Sequence, residues 1–216
     1  MNIILIGPQG SGKGTQAQLL TETYDLVVLG MGKLLREAAQ KDSERGHIIH
    51  DLINEKGKLL PDGVVFDLIQ ENLESIEWHN GIIFDGFPRT VAQFDLLENY
   101  LVDQDKFLHL AIYLDIDDET AIDRLANRVT CELDGKTYNL KSDPPPPECE
   151  GHITRRPDDQ PEAIKNRLSQ FKEFTQPIIQ LLEEKGILER IDASGTPREV
   201  FSQIQAVISR KNLSNG

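Results

Sequence analysis

The sequence predicts an α/β protein whose central parallel sheet is covered by helices on both faces. Short apolar runs of strand length alternate with helical patterns along most of the 216 residues. Strands that are joined through helices pair in parallel, and such sheets are buried on both faces. A glycine-rich loop also stands between the first apolar run and the first helical pattern, as in phosphate-binding loops. Since ligands of these sheets bind beyond the carboxyl ends of the strands, we expect the functional site there.

The order of the elements follows from hydrophobic periodicity and from the signals for helix ends. The predicted strands are residues 2–6, 26–29, 82–84, 108–114 and 188–191. The predicted helices are residues 13–24, 33–40, 44–55, 62–73, 90–101, 117–126, 161–185 and 197–211. Pro61-Asp62 and Asp117-Asp118 are typical of helix starts, because proline fixes φ and carboxylates favour the positive end of the helix dipole. Pro177 removes a backbone hydrogen bond within the longest predicted helix and predicts a kink there.

Two stretches interrupt this alternation and predict inserted lobes. Residues 30–60 show only helical patterns, which indicates a small helical lobe. Residues 127–159 lose the helical period and contain Asp134-Gly135, a hairpin signal, and the stiff run Pro144–Pro147. This second stretch predicts a small β-rich flap. The core would then comprise residues 1–29, 61–126 and 160–216.

Composition and charge limit the partners and the compartment. The formal net charge of −13 disfavours a general nucleic-acid or anionic-membrane surface. No apolar run approaches the length of a membrane span, and the first residues already form a predicted strand. Two cysteines are too few for a disulfide framework. A reducing cytoplasmic setting is therefore the expectation.

The loop GPQGSGKGT at residues 7–15 is the strongest local signal. Its glycines allow a tight turn that directs several backbone N–H groups toward one anion, and the following helix adds its positive end. Lys13 supplies a full charge for the outer phosphates, and Thr15 supplies a hydroxyl for magnesium. The alternative is a tight turn without a ligand, which the flanking strand and helix disfavour.

A second motif, IIFDGFPRT at residues 82–90, reads as a buried strand that ends in Asp85, followed by a rigid turn and Arg89. A strand-terminal aspartate commonly holds magnesium through water in phosphate-loop enzymes. Arg89 would lie at the ligand edge of the sheet. An ordinary strand, turn and helix start would give the same nonapeptide, but the phosphate loop makes that alternative less attractive.

Together these motifs resemble the adenylate kinases with a long lid that occur in bacteria. The resemblance is carried by the phosphate loop, by Asp85-Gly86-Phe87-Pro88-Arg89-Thr90 with Gln93, and by Arg156-Pro157-Asp158-Asp159 with Arg167. It covers nearly the whole chain, in order. It implies a five-stranded parallel sheet, a helical lobe for the nucleoside monophosphate and a mobile lid. It also implies the reaction ATP + AMP ⇌ 2 ADP with magnesium in a monomer that has no nucleic-acid or membrane partner.

The resemblance also assigns roles to residues at matching positions. The ATP side would comprise Gly10, Ser11, Gly12, Lys13, Gly14, Thr15, Arg124, Arg128, Thr137, Tyr138 and Gly195. The AMP side would comprise Met31, Arg36, Lys58, Leu59, Leu60, Gly86, Phe87, Pro88, Arg89, Gln93, Arg156 and Arg167. The catalytic cations would be Lys13, Arg89, Arg128, Arg156 and Arg167, which suit a reaction between two polyanions because guanidinium groups bind phosphate oxygens bidentately. A network near the magnesium and the lid arginines would comprise Asp85, Asp158 and Asp159, although the last two also suit a helix start.

One departure from the family leaves acceptor selectivity open. The chain has Gly30-Met31-Gly32-Lys33 where the family usually has Ser-Thr-Gly-Asp. Met31 is apolar and offers only a weak sulfur acceptor. AMP is the expected acceptor, with relaxed or UMP/CMP selectivity as the alternative. A nucleotide-binding regulator without turnover and a kinase of a small metabolite are more distant alternatives, which the arginine set, Gln93 and the helical lobe disfavour.

The flap carries Cys131-x-x-Asp134 and Cys149-x-x-His152. Paired short spacings of this kind hold zinc in small flaps, and some long-lid relatives have three or four cysteines at the corresponding positions. The four side chains Cys131, Asp134, Cys149 and His152 therefore predict a structural zinc ion. The alternative is a metal-free lid with two ordinary thiols.

Overall fold

The computed structural model describes residues 1–52, 60–133, 135–156 and 159–213. In chain order its elements are β1 (Ile3–Ile6), α1 (Lys13–Tyr24), β2 (Val27–Gly30), α2 (Met31–Ala39), α3 (Glu44–His50), α4 (Asp62–Ser75), β3 (Ile82–Asp85), α5 (Val91–Asp103), β4 (Leu110–Asp115), α6 (Asp118–Ala126), β5 (Arg128–Cys131), β6 (Thr137–Asn139), β7 (Ile153–Thr154), α7 (Pro161–Gln170), α8 (Gln176–Glu184), β8 (Leu188–Asp192) and α9 (Pro197–Arg210).

The main sheet has five parallel strands in the order β2-β3-β1-β4-β8, which confirms the predicted fold class. β1 lies in the middle and pairs with β3 on one side and with β4 on the other. In the β2–β3 register Gly30 is opposite Asp85. The loops that follow β1, β2 and β3 therefore leave the sheet side by side. This arrangement places the glycine-rich loop beside the carboxylate at the end of β3.

Alternating residues of β1 build two apolar layers, one on each face of the sheet. Ile4 and Ile6 join a cluster with Phe84 and Phe94, whereas Ile3 and Leu5 join the cluster beneath α1 and α9. All of these side chains are nearly inaccessible to solvent. Burial of one such side chain stabilises the fold by roughly 1.5–3 kcal/mol. The two layers therefore give the site a rigid base.

The two inserted stretches take the predicted kinds of secondary structure. α2 and α3 lie in the stretch of residues 30–60, of which residues 53–59 are outside the described part. Within residues 127–159, β5 pairs antiparallel with β6 and with β7 to form a three-stranded sheet. Gly135 in the β5–β6 hairpin has φ of 69°, which glycine adopts without strain.

The long helix predicted over residues 161–185 is divided. α7 ends at Gln170, a π-helical segment covers Phe171–Thr175, and α8 begins at Gln176. Pro177 is in the first turn of α8, where the missing backbone N–H costs little. The predicted interruption therefore occurs one turn before the proline, and the wider turn changes the direction in which the following side chains point. Across the described residues, no helix has the length and apolar character needed to span a membrane.

Candidate active site

A cleft of about 1380 Å³ opens at the carboxyl edge of the main sheet. This volume exceeds the range of roughly 300–1,000 Å³ that is typical for one small-molecule ligand. From the predicted ATP side, the cleft is lined by Gly10, Ser11, Gly12, Lys13, Gly14, Thr15, Arg124, Arg128, Thr137, Tyr138 and Gly195. From the predicted AMP side and the network, it is lined by Arg36, Asp85, Gly86, Pro88, Arg89, Arg156 and Arg167.

The glycine-rich loop forms a compact cradle before α1. Gly10 and Gly12 have φ of 87° and 89°, in the left-handed region that favours glycine. A Cβ at Gly10 would lie 2.7 Å from the carbonyl oxygen of Ala121. Both this close contact and the positive φ therefore exclude a side chain at Gly10. The Lys13 Nζ donates hydrogen bonds of 2.8 Å to the carbonyl oxygens of Gly7 and Pro8. The loop thus holds its own lysine in place across the turn.

Lys13 and Asp85 form the electrostatic centre of the cleft. Burial away from water lowers the pKa of Lys13 to about 8. The nearby Asp85 opposes this shift, whereas the charges of Arg89, Arg167 and Arg128 lower the pKa further. Burial raises the pKa of Asp85, and the nearby Lys13, Arg89 and Arg156 oppose that shift. Positive charge is therefore concentrated around one carboxylate in a protein of net charge −13. A bound polyanion would relieve this repulsion and stabilise the charged lysine.

Hydrogen bonds within its own turn and from Thr175 hold Arg89 in place. Its backbone N–H donates to the Gln93 Oε1 over 2.7 Å, and its Nε donates to the Gly86 carbonyl over 3.1 Å. The Thr175 hydroxyl donates to its carbonyl oxygen over 3.1 Å. The backbone and the Nε of Arg89 are thus held in place at the cleft.

Arg124 connects α6 to the loop that follows β8. Its guanidinium donates to the carbonyl oxygens of Ala193, Ser194 and Gly195 over 2.8, 2.9 and 3.1 Å. Burial lowers the pKa of this arginine, while nearby carboxylates oppose the shift. The planar group is therefore held in one orientation on the wall of the cleft.

The small antiparallel sheet contributes cations to the same cleft. The Arg128 Nε donates to the Asp159 Oδ2 over 2.8 Å, and a second bond joins the Arg128 Nη2 to Oδ1 of the same carboxylate. The Arg156 Nη2 donates to the Thr137 hydroxyl over 2.9 Å. Asp159 therefore fixes the orientation of the Arg128 guanidinium. Its predicted partner in the network, Asp158, lies outside the described residues.

Several predicted AMP-side residues are buried and are not among the residues that line the cleft. Gln93 and Met31 are each 2 % exposed, and Phe87 and Leu60 are also buried. Met31, Phe87 and Leu60 belong to one apolar cluster, so in this structure the methionine packs as a core residue. The predicted Lys58 and Leu59 lie outside the described residues.

Two residues that sequence reasoning missed belong to this site. Asp62 accepts hydrogen bonds from the Thr90 hydroxyl and from the Gln93 Nε2, each over 2.9 Å. Thr175 is buried and holds the Arg89 carbonyl. Asp62 reads in the sequence as an ordinary helix start, and Thr175 as one position of a long helix. No local signal in the sequence distinguishes them.

The predicted zinc site is corrected by the structure. Cys131 and Cys149 form a disulfide, so neither sulfur is available as a thiolate, which is the form that binds zinc. Among the described residues no group of three or more His, Cys, Asp or Glu side chains could hold a metal ion. His152 is described, whereas Asp134 is not. The disulfide also differs from the expected pair of reduced cysteines.

The donor set at the loop fits magnesium better than it fits softer metals. Asp85 and Thr15 both line the cleft. A Cβ placed on Gly14 would lie 3.8 Å from the Asp85 Oδ2, so this carboxylate is close to the start of α1. Carboxylate and hydroxyl oxygens are the ligands that Mg²⁺ prefers, usually together with water and phosphate.

The fold and the cleft together define a phosphate-loop phosphotransferase, since the loop joins a parallel strand to a helix and arginines surround the space above it. Comparisons narrow this class. The family model described as "Adenylate kinase" matches residues 5–187, and the chain belongs to the adenylate kinase family.

Curated relatives in this family extend over nearly the whole chain. One from Methanosarcina mazei and one from Lactobacillus johnsonii are each 38% identical over 97% of this chain and 99% of their own length. A third, from Novosphingobium aromaticivorans, is 36% identical over 98% of this chain and 100% of its own length. All three are named "Adenylate kinase".

Proposed function

We propose that this chain catalyses the reversible transfer of a phosphoryl group, ATP + AMP ⇌ 2 ADP. The observation that carries this proposal is the cleft in which Lys13 and the arginines of the core and the lid surround Asp85. Its volume of about 1380 Å³ supports the binding of two nucleotides. The names of the relatives point to the same reaction.

The residues of the cleft divide into two groups along the proposed reaction path. The loop at residues 7–15, Arg124 and Gly195 would bind ATP, with the Arg124 guanidinium stacked on its adenine. Arg36 and Arg89 would hold the phosphate of AMP. Arg128, Arg156 and Arg167 would close on the phosphates together with Lys13. Because the acceptor is already an anion, positioning and charge stabilisation supply the catalysis and no general base is needed.

Magnesium belongs to this proposal as the companion of ATP. Asp85, through water, and the Thr15 hydroxyl would hold it. When bound, the ion neutralises charge on the phosphates that exchange the phosphoryl group. The proposed site needs no second, structural metal.

We assign separate roles to the two inserted stretches and to the core. Residues 30–60 would form the lobe that binds AMP, residues 127–159 the lid, and residues 1–29, 61–126 and 160–216 the core. Closure of the two inserted parts would exclude water, which otherwise competes as phosphate acceptor. We propose a cytoplasmic monomer without nucleic-acid or membrane partners. The strongly acidic composition supports the absence of those partners, whereas the disulfide is unusual for a reducing compartment.

AMP is proposed as the acceptor because Gln93 and the segment Lys58-Leu59-Leu60 match the positions that bind adenine in the family. Gln93 accepts a hydrogen bond from the backbone of Arg89, which supports this choice, and Leu60 belongs to the same apolar cluster as Phe87. The alternative, relaxed or UMP/CMP selectivity, rests on Met31, which lacks the hydroxyl usual at this position.

The decisive experiment measures ADP formation from ATP with AMP, GMP, CMP or UMP, with and without magnesium. We expect magnesium-dependent ADP formation that is fastest with AMP. A Lys13→Met variant should lose activity by a factor of about 100 or more while retaining its fold. Absence of ADP formation with every acceptor would overturn the proposal, and equal rates with all four would favour the alternative.

A further inference from the structure

Asp62 lies at the first position of α4 and joins that helix to the turn that carries Arg89. The Asp62 Oδ1 accepts the Thr90 hydroxyl and the Gln93 Nε2, each over 2.9 Å. The Gln93 Oε1 in turn accepts the backbone N–H of Arg89 over 2.7 Å. The Thr90 hydroxyl also accepts the backbone N–H of Gln93 over 3.1 Å. Asp62, Thr90 and Gln93 thus form a closed ring of hydrogen bonds, to which Arg89 is joined through the Gln93 amide oxygen.

This ring determines which way the Gln93 amide faces. A carboxylate can only accept hydrogen bonds, and a backbone N–H can only donate one. The NH₂ group of Gln93 must therefore face Asp62, and its carbonyl oxygen must face Arg89. Rotation of the amide by 180° would place oxygen against the Asp62 carboxylate and NH₂ against an N–H. Both hydrogen bonds would be lost and replaced by repulsion, in a side chain that is 2 % exposed.

Beyond these two bonds, the Gln93 amide has one N–H and one lone pair that have no partner among the described residues. A base that carries an amino group beside an unprotonated ring nitrogen, such as a 6-aminopurine, donates to the amide oxygen and accepts from its N–H. A 6-oxopurine in the same pose presents the opposite pattern, an acceptor beside a ring N–H. It can pair only with the reversed amide. An amide that is free to rotate would accept both kinds of base, whereas a fixed one selects one of them.

We propose that Asp62 is a positioning residue that sets acceptor specificity, because it fixes the Gln93 amide in the orientation that pairs with 6-aminopurine monophosphates and rejects 6-oxopurine monophosphates. This inference rests on the proposed function, in which Gln93 contacts the acceptor base. It adds a cause of selectivity that acts through Gln93, without contact between Asp62 and the base, and that does not involve Met31.

The test compares AMP with GMP and IMP as acceptors for the wild-type chain and for Asp62→Asn. Asparagine can offer either an oxygen or an NH₂ group, so only the Arg89 backbone N–H then opposes rotation of the Gln93 amide. We expect the ratio of kcat/KM for AMP to that for GMP or IMP to fall at least tenfold, with little change in KM for ATP. Asp67→Asn on the same helix is the matched control, since Asp67 is exposed and its replacement removes the same charge. This control should leave the ratio unchanged.

Two further variants separate specificity from stability. Asp62→Ser can also donate or accept and suits a helix start, so it should lower the ratio as Asp62→Asn does if the asparagine variant does not fold. In a Gln93→Met background, which lacks the amide, Asp62→Asn should no longer change the ratio.

A uniform loss of activity with all acceptors in Asp62→Asn would overturn the inference, because the residue would then act only on the fold or on Arg89. An unchanged ratio would also overturn it. Failure of the wild-type chain to use AMP would instead count against the proposed function, and the panel of acceptors distinguishes these outcomes.

Discussion

The hydroxyl of Thr175 donates a 3.1 Å hydrogen bond to the backbone carbonyl of Arg89, although 86 positions separate the two residues in the chain. Thr175 is the last residue of the π-helical segment Phe171–Thr175, between α7 and α8. α7 carries Arg167, which lines the same cleft as Arg89. This hydrogen bond therefore links the segment that follows α7, the helix of Arg167, to the backbone of Arg89.

Replacement of Thr175 by valine should impair both stability and AMP use. Valine has nearly the same shape as threonine, so the change chiefly leaves the Arg89 carbonyl without its partner. We expect a loss of about 1–3 kcal/mol in the free energy of unfolding, measured in urea. We also expect a several-fold increase in KM for AMP with little change in KM for ATP. Thr175→Ser, which keeps the hydroxyl, is the control; equal effects of the two variants would contradict this role.

Replacement of Arg89 should remove more activity than replacement of any surface arginine. Arg89→Ala is expected to lower kcat/KM for AMP by about 100-fold or more, because a preorganised donor to the phosphates is lost. Arg89→Lys should retain only part of the wild-type kcat/KM, since lysine cannot bind phosphate oxygens bidentately. The control is Arg210→Ala, whose side chain is 64% exposed and pairs with Glu189. That change should leave kinetics unaltered and cost at most about 1 kcal/mol of stability.

The pH dependence of ATP use should report the ionisation of Lys13. Its pKa is lowered to about 8 by burial, so the free protein loses this positive charge as pH rises through about 8. Since kcat/KM reflects groups of the free enzyme, kcat/KM for ATP should fall above pH 8. Bound phosphates favour the charged lysine, so kcat should stay constant to higher pH.

The matched control for the pH profile is Lys13→Arg, because arginine keeps its charge throughout this range. We expect that variant to be less active overall and to lack the decline in kcat/KM near pH 8. Tyr113 offers no competing titration there, because burial and its hydrogen bond to Asp115 raise its pKa to about 12. An identical decline in both proteins would show that another group is responsible.

Reduction of the disulfide between Cys131 and Cys149 should loosen the segment that it closes. The two cysteines are 18 positions apart. In the entropic account of cross-links, closing a loop of this size stabilises the folded state by about 3 kcal/mol. We expect a reducing agent to accelerate proteolytic cleavage between these cysteines. A Cys131→Ser/Cys149→Ser double variant should be cleaved quickly with or without the reductant. Stoichiometric zinc in protein purified without chelator would contradict the disulfide.

The sequence by itself determined the fold class and most of the cleft. The phosphate loop, Asp85 and Arg89 were predictable because each belongs to a short contiguous pattern whose chemistry requires those residue types. The other arginines of the cleft came from the family resemblance. Alternation of strands with helices predicted the parallel sheet, whose carboxyl edge brings these patterns together. The family resemblance rested on the same motifs and agrees with the family model over residues 5–187.

Tertiary structure alone decided which residues support that cleft. Asp62 and Thr175 reach Gln93 and Arg89 across long sequence separations, and a hydrogen bond between distant residues has no periodicity that a sequence could display. The state of Cys131 and Cys149 was predicted wrongly: the sequence predicted zinc ligands, with two free thiols as the alternative, and the structure has a disulfide. Cys131 ends β5, whereas Cys149 ends a 3-10 turn, Pro147–Cys149, that precedes β7, and packing of this turn against β5 brings the two sulfurs together. Local patterns thus specified the chemistry, and packing specified how its side chains are held.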